Sequence, residues 1–301
     1  MDYRLISEEE RQELFRMLRP EPLDFALYPR CLKNLKYGSH RMQRLHLFLP
    51  ENGDGPFPLI VYFHGGGWEG GGPSDGQVRP FLPGLERGYA VASCGYRLMP
   101  EAFYPDDLGD VKQALAWLHE NRDELNLDTG RLVLAGSSAG AHLALLAAFT
   151  QGQPLFDGDR YGSLPEVRAV VDLYGPTDLS MEDEHYRMTG CPRAFPPAPP
   201  GKDTPSRLFQ ADLAANPSLA GLASPLRAVH AGIPKVLILH GKNDPMVSVL
   251  QSQALYERIT ERCGEGRSRL IVSEDTTHGD QKYEREPYTS QIFDFIRDAL
   301  S

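Results

Sequence analysis

The chain has 301 residues, of which 24% are charged and 41% hydrophobic, with a formal net charge of −10. That length suits one large α/β domain or two small ones. The acidic balance argues against nucleic acid and anionic membranes as partners, since both want a basic face.

No stretch approaches 18 apolar residues, so no transmembrane helix is expected. The opening MDYRLISEEERQELFRML lacks a basic segment followed by an apolar run, so it reads as no secretory signal and a cytoplasmic location is expected. Cys31, Cys94, Cys191 and Cys263 are widely spaced and form no C-x-x-C. Four free thiols are expected, with Cys94 buried in an apolar run.

Residues 7 to 19 read as a helix. Ser7 and Glu10 form a capping box, and Leu14, Phe15 and Leu18 give an apolar stripe. Prolines 20, 22 and 29 then break the chain. This N-terminal piece, residues 1–30, is either a cap over a site or padding on a sheet edge. Two strands separated by Gly38-Ser39 are expected between Cys31 and Leu49. Phe57 to Phe63 is continuously apolar, as a central strand buried on both faces requires. It ends in His64-Gly65-Gly66-Gly67-Trp68, a loop whose bare backbone N–H groups can point at an oxyanion.

Residues 76 to 87 read as a helix interrupted by Pro80 and Pro83, followed by a strand from Tyr89 to Gly95. Pro105 to Asn121 reads as a helix. Asp106, Asp107 and Asp110 complement its N-terminal dipole, and Val111, Ala114, Leu115 and Leu118 form its apolar face. Arg131 to Ala135 is the next strand, and a helix is expected to follow the small-residue turn up to Ala148. Val167 to Tyr174 is another central strand. About residues 176–232 form a proline-rich segment with only short helical stretches, long enough to serve as a lid-like insertion. Lys235 to His240 and Ser268 to Ser273 are strands around a helix from Val247 to Arg262. Pro287 to Leu300 is the last helix, burying Ile292, Phe293, Phe295 and Ile296. With no repeat and no second core, the alternation implies one domain over 1–301, built on a mostly parallel sheet covered on both faces.

The chemistry centres on Gly136-Ser137-Ser138-Ala139-Gly140, a G-x-S-x-G turn between strand and helix. Such a turn forces its central residue into a strained backbone region and pushes Ser138 Oγ out at the carboxyl edge of the sheet, at a helix N-terminus. A serine hydroxyl needs a base in reach, and the base needs a group that fixes its tautomer. Asp244 lies three residues beyond one strand and His278 just beyond the next, so both belong at that edge. The order Ser138, Asp244, His278 is nucleophile, acid, base. Of the other histidines, His64 belongs to the glycine loop and reads as structural. His142 and His240 read as core or near-core groups, and His40, His46, His119, His185 and His230 lack a strand-end context. Asp172 and Asp178 are rival acids, and Asp275 and Asp280 read as solvated loop charges. The residue after the nucleophile, Ala139, is an oxyanion donor on the same geometry.

These motifs resemble the α/β-hydrolase esterases with an HGGG oxyanion loop. The chain is similar to hormone-sensitive-lipase-like esterases and, more closely, to bacterial esterases related to bifunctional carbohydrate and feruloyl esterases. The matching pieces are HGGGW at 64–68, YRL at 96–98, the 105–118 segment with Asp110 and Trp117, GSSAG at 136–140, SPL at 224–226, HGKNDPMV at 240–247, and His278. They run from about residue 57 to the C-terminus and leave out the first 30 residues and about 180–216. The resemblance implies an α/β-hydrolase fold with Ser138 as nucleophile, His278 as general base and Asp244 as its orienter. It also implies Gly66, Gly67 and Ala139 N–H groups as the oxyanion hole, with Trp68 N–H as an alternative donor and Trp68 as a substrate contact. Ser137 stands where hormone-sensitive-lipase relatives often carry an acid, and Trp68 stands in place of Phe.

The expected activity is serine carboxylic-ester hydrolysis of short-chain esters through an acyl-enzyme, with acetyl or feruloyl esters of carbohydrates as the substrates the resemblance suggests. Its partner is a small-molecule or carbohydrate ester, and no metal or organic cofactor is implied. A homo-oligomer is compatible with the sequence. Two alternatives stay open: an arylformamidase of the kynurenine-formamidase kind, and a non-catalytic binding protein on the same fold.

Overall fold

A computed structural model describes residues 5–18, 21–157 and 161–301. Eight strands build one sheet: β1 Cys31–Lys36, β2 Arg44–Phe48, β3 Phe57–Phe63, β4 Ala90–Cys94, β5 Leu127–Ser137, β6 Val167–Leu173, β7 Lys235–Gly241 and β8 Ser268–Ser273. Their order is β1-β2-β4-β3-β5-β6-β7-β8. The β1–β2 and β2–β4 pairs are antiparallel, and every pair from β4 to β8 is parallel. The α-helices are α1 Glu8–Met17, α2 Asp106–Glu120, α3 Ala139–Phe149, the short α4 Glu182–Thr189, α5 Thr204–Phe209, α6 Pro217–Leu222 and α7 Pro225–Ala228, then α8 Val249–Cys263 and α9 Tyr288–Leu300. This is the α/β-hydrolase fold.

The period-2 alternation of a strand explains the two cores. In β3, Leu59, Val61 and Phe63 pack with residues of α2, α3 and α8 on one face. Ile60 and Tyr62 pack on the other face with α9 and the Gly76–Arg87 segment. Every residue of α3 is buried, so that helix has no polar face. Among the described residues no helix is long and apolar enough to cross a membrane.

Several expectations are corrected. The helix expected at 76–87 is there, as the 3-10 helix Gly76–Arg87. Pro80 and Pro83 supply no N–H for the longer α-type ladder. β5 begins at Leu127 rather than Arg131, because Leu127 already pairs with Phe57 ahead of an irregularity. In α9, Phe295 is only half-buried and Ala299 takes the inner position. Asp110 is fully buried in a forked pair with Arg97, whose Nη2 and Nε donate at 2.7 and 2.9–3.0 Å, so it holds the chain after β4 rather than serving a helix dipole.

The capping box of α1 is formed, with Glu10 N–H donating to Ser7 Oγ at 3.2 Å and Ser7 N–H to Glu10 Oε2 at 2.7 Å. Leu14 is buried, and Leu18 lines a cavity that Ser138 also lines. Arg19, Pro20 and the Phe15 side chain lie outside the described residues. The proline-rich segment carries α4 to α7 and is fastened at several points. Arg193 O accepts from Ile6 N–H at 2.9 Å, Ala194 N–H donates to Pro245 O at 2.8 Å, and His142 Nε2–H donates to Ala223 O at 2.7 Å. All four cysteines are free thiols, and burial pushes the Cys94 thiol well up.

Candidate active site

The turn between β5 and α3 is tight because two glycines let three backbones meet. A Cβ at Gly136 would overlap the Gly140 backbone, and a Cβ at Gly140 would overlap the carbonyls of Phe63 and His64 at the end of β3. Ser138 between them has φ 52° and ψ −122°, a strained conformation for a residue with a Cβ. It is the N-cap of α3, so its Oγ stands where the helix dipole favours developing negative charge.

The parallel strands deliver the partners to the same edge. Ser138 Oγ lies 3.0 Å from His278 Nε2, and His278 Nδ1 lies 2.7 Å from Asp244 Oδ2. A Cβ at Gly241 would overlap the Thr276 carbonyl, so the end of β7 and the loop after β8 are in close contact. That approach places the Asp244 loop beside the His278 loop. Asp244 is saturated with donors. Its Oδ1 accepts from Met246 and Val247 N–H at 2.8 and 2.9 Å, and Oδ2 also faces His240 Nε2 at 3.3 Å. Burial pushes this carboxyl up, but the two histidines outweigh burial and hold it below the usual carboxylate range. Tyr174, at φ 47° after β6, packs its ring 4.6 Å from that of His278.

In the glycine loop, Gly66 has φ 123° and Gly67 φ 61°, values that favour glycine. Among the described residues, no protein acceptor takes the N–H of Gly66, Gly67, Trp68 or Ala139. His64 stacks on Tyr96 at 4.5 Å, and Tyr96 O–H donates to His64 O at 2.8 Å, which holds the loop from behind. Trp68 is almost fully buried, edge-to-face with His142 at 5.2 Å, yet lines a cavity beside Ser138.

Two cavities meet at Ser138 and His278. The larger, about 910 Å³, is walled by the glycine loop, Gln77, the His278 loop and Leu18. The smaller, about 430 Å³, is walled by Trp68 and the proline-rich segment.

The sequence-derived residues thus converge, while the competitors are occupied elsewhere. Asp172 accepts from Gly175 N–H at 2.8 Å, and Asp178 accepts from Ser180 and Arg227. Asp275 accepts from Ser273 and Tyr288, which lowers its carboxyl to about 2, and Asp280 caps a short 3-10 turn. Two residues escaped sequence reading: His240 as a second partner of Asp244, and Gln77 behind the glycine loop. Gln77 acts across a contact between distant segments, and His240 through a turn that brings the carboxylate four residues on back beside it.

A BD-FAE family model matches residues 45–259. Esterase LipQ of Mycobacterium tuberculosis is 32% identical over 199 residues, which are 65% of this chain and 44% of that protein. Isoprenylcysteine alpha-carbonyl methylesterase ICME of Arabidopsis thaliana is 26% identical over 250 residues, 82% of this chain and 56% of that one. The chain therefore spans about half the length of the curated relatives it matches. A solved structure, a truncated form of a carbohydrate esterase from gut microbiota, superposes with a TM-score of 0.78 at 25% identity, covering 93% of this chain and 99% of that one. With 215 of its 301 residues inside the matched range, the chain belongs to the BD-FAE family.

Proposed function

We propose that the chain is a serine carboxylic-ester hydrolase working through an acyl-enzyme. The observation that carries this is the unbroken line Ser138 Oγ, His278 and Asp244 at 3.0 and 2.7 Å, placed beside unpartnered loop N–H groups. Ser138 Oγ attacks the ester carbonyl while His278 Nε2 takes its proton. Asp244 accepts from Nδ1–H, fixing the tautomer that leaves Nε2 free as base. The N–H groups of Gly66, Gly67 and Ala139 stabilise the tetrahedral oxyanion, with loss of one such donor costing ~10²–10³ in rate. His278 then protonates the departing alcohol. A water, deprotonated by the same histidine, releases the acid.

The substrates are short-chain esters, with acetyl or feruloyl esters of carbohydrates first among them. Support comes from the two cavities that flank Ser138 and from the carbohydrate esterase that shares the fold. The 176–232 segment serves as a lid-like insertion on a single α/β-hydrolase domain, and the N-terminal helix completes the cover.

The test is hydrolysis of p-nitrophenyl esters from acetyl to long acyl chains by the wild type and by Ser138→Ala. Turnover that is lost in the variant, with a short-chain preference, supports the reading and leads to acetylated sugars and feruloyl esters. Equal turnover in both removes Ser138 as nucleophile. Turnover of N-formyl arylamines without ester turnover would move the activity to formamide hydrolysis, and inertness toward all of these would leave a binding protein.

A further inference from the structure

Ser137, the residue before the nucleophile, stands where the resemblance led to an acid, and the structure gives it a definite partner set. It is buried, and its hydroxyl donates to Gln77 Oε1 at 2.8 Å. That uses its one proton, so Tyr62 O–H, 2.7 Å away, is the donor to Ser137 Oγ. Gln77 Oε1 also accepts from Gly65 N–H at 2.9 Å. A flipped amide would set two donors against each other at Gly65, so this hydrogen bond fixes which end of Gln77 faces the backbone.

The fit around Gly65 is close. A Cβ there would stand 2.9 Å from Ser137 O, 3.0 Å from Gln77 Oε1 and 3.2 Å from Ser137 Oγ. Gly65 is bonded directly to Gly66, whose free N–H begins the oxyanion loop. Gln77 is itself anchored, because its neighbour Val78 and nearby Phe81 are fully buried in the core under β3.

We propose that Gln77 is a positioning residue for the oxyanion loop. Its Oε1 ties Gly65, and with it the Gly66 and Gly67 N–H groups, to the turn that carries Ser138. This inference rests on the ester-hydrolase reading above. Oxyanion donors must sit within a fraction of an ångström of the developing charge, and a loop of three successive glycines has no side chains of its own to set that distance. The side-chain oxygen of Gln77 supplies the missing constraint by accepting one bond from each of the two parts that must stay in register.

Gln77→Met keeps length and volume and removes the acceptor. With p-nitrophenyl acetate its kcat should fall about 10- to 100-fold while KM stays within about 3-fold, because the donors matter more to the oxyanion than to the bound ester. Labelling of Ser138 by an organophosphonate should slow by the same factor while the final labelled fraction stays complete, which separates misplacement from loss of folded protein. Ser137→Ala removes one donor to Oε1 and should cost about 3- to 10-fold in kcat. If Ser137 acts through Gln77, the double variant is no worse than Gln77→Met to within about 2-fold.

Unchanged kcat in fully labelled Gln77→Met overturns the proposal, as do a rise in KM alone or effects that multiply in the double variant. Ser137→Ala carries the same test if Gln77→Met does not fold, with unchanged kcat as the overturning result. Ser138→Ala assayed alongside keeps the two claims apart. An active wild type with an inactive Ser138→Ala and a fully active Gln77→Met sinks only the positioning role. An inactive wild type sinks the hydrolase reading and this role with it.

Discussion

Two carboxylates sit at the carboxyl ends of neighbouring strands, and their fates are opposite. Asp172 near the end of β6 and Asp244 beyond β7 are both shut off from solvent. Asp244 accepts from two backbone N–H groups and faces two histidines, so it stays ionised. Asp172 has one backbone donor on Oδ1 and no partner for Oδ2. Burial raises its carboxyl to about 7, with Gly175 N–H and the neighbouring His240 opposing only part of that. Two strand ends therefore present the same side chain, and the donors around each decide which stays fully ionised and which is still part-protonated near neutral pH. A carboxylate must be ionised to orient an imidazole, and that supports the proposal that Asp244 orients His278.

The largest break in this comparison is Asp244→Asn. The amide cannot accept from His278 Nδ1–H in the same way and favours the wrong tautomer, so kcat should fall about 10⁴-fold, the size of effect seen when a triad acid is lost. Asp172→Asn, assayed with the same ester, should hold kcat within about 3-fold, since none of the hydrogen bonds of the described residues joins Asp172 to His278. A collapse of activity in Asp172→Asn with activity retained in Asp244→Asn would exchange their roles.

Stability against pH sharpens the contrast, because the signs differ. Asp172 carries a folded value near 7, above its unfolded value of about 3.9. Its contribution is complete below about pH 4 and is lost as pH rises through 7, amounting to about 4 kcal/mol at 1.36 kcal/mol per pH unit. Asp107, buried at the start of α2 with Oδ2 unpartnered and its carboxyl raised by burial to about 7, has the same sign. Asp244 has a depressed folded value, so its contribution is present above the unfolded value and is lost as pH falls below it. Urea unfolding from pH 3 to 8 should show Asp172→Asn more stable than wild type at pH 8, with a flatter alkaline limb. Asp244→Asn should flatten only the acid limb. An unchanged alkaline limb in Asp172→Asn would mean that its carboxyl is ionised in the folded protein.

Most of the working site was legible in the sequence because strand ends and turns have local signatures. The glycines at 136 and 140 mark a close approach whose reason is visible in the structure, and Asp244 and His278 follow strands whose apolar runs are hard to miss. The rest depended on how the chain folds back on itself. Gln77 meets Ser137 across 60 residues, and its own stretch reads as an ordinary broken helix. His240 reads as the buried end of a strand, which it is, yet its Nε2 also faces the carboxylate four residues on. Asp110 reads as a dipole partner for α2 because Arg97, 13 residues earlier, lies in another element. Leu18, just after α1, reads as one member of an apolar stripe, which does not announce that it lines the larger cavity and packs where a Cβ on Gly279 would be crowded.

An exposed carboxylate extends the comparison to the surface. Glu69 in the glycine loop forms a forked pair with Arg207 of α5, and both line the larger cavity. In the same helix Thr204 Cγ2 lies 3.7 Å from where a Cβ of Gly67 would be, so this pair sits where the insertion meets the oxyanion loop. Unlike Asp244, it is well exposed, at 40% and 45% for the two side chains. Solvent screening limits such a pair to about 0.2–1 kcal/mol, and salt weakens it further. On its buried side the loop is already held by the Gly65–Gln77 and Tyr96–His64 hydrogen bonds, so it keeps its place without this pair. Arg207→Met and Glu69→Gln should therefore each lower kcat/KM less than about 5-fold at low ionic strength, and the coupling between them in a double-mutant cycle should fade by 0.5 M salt. A loss above tenfold that persists in high salt would show that the charges act on the substrate itself, which no pair this exposed does through stability alone.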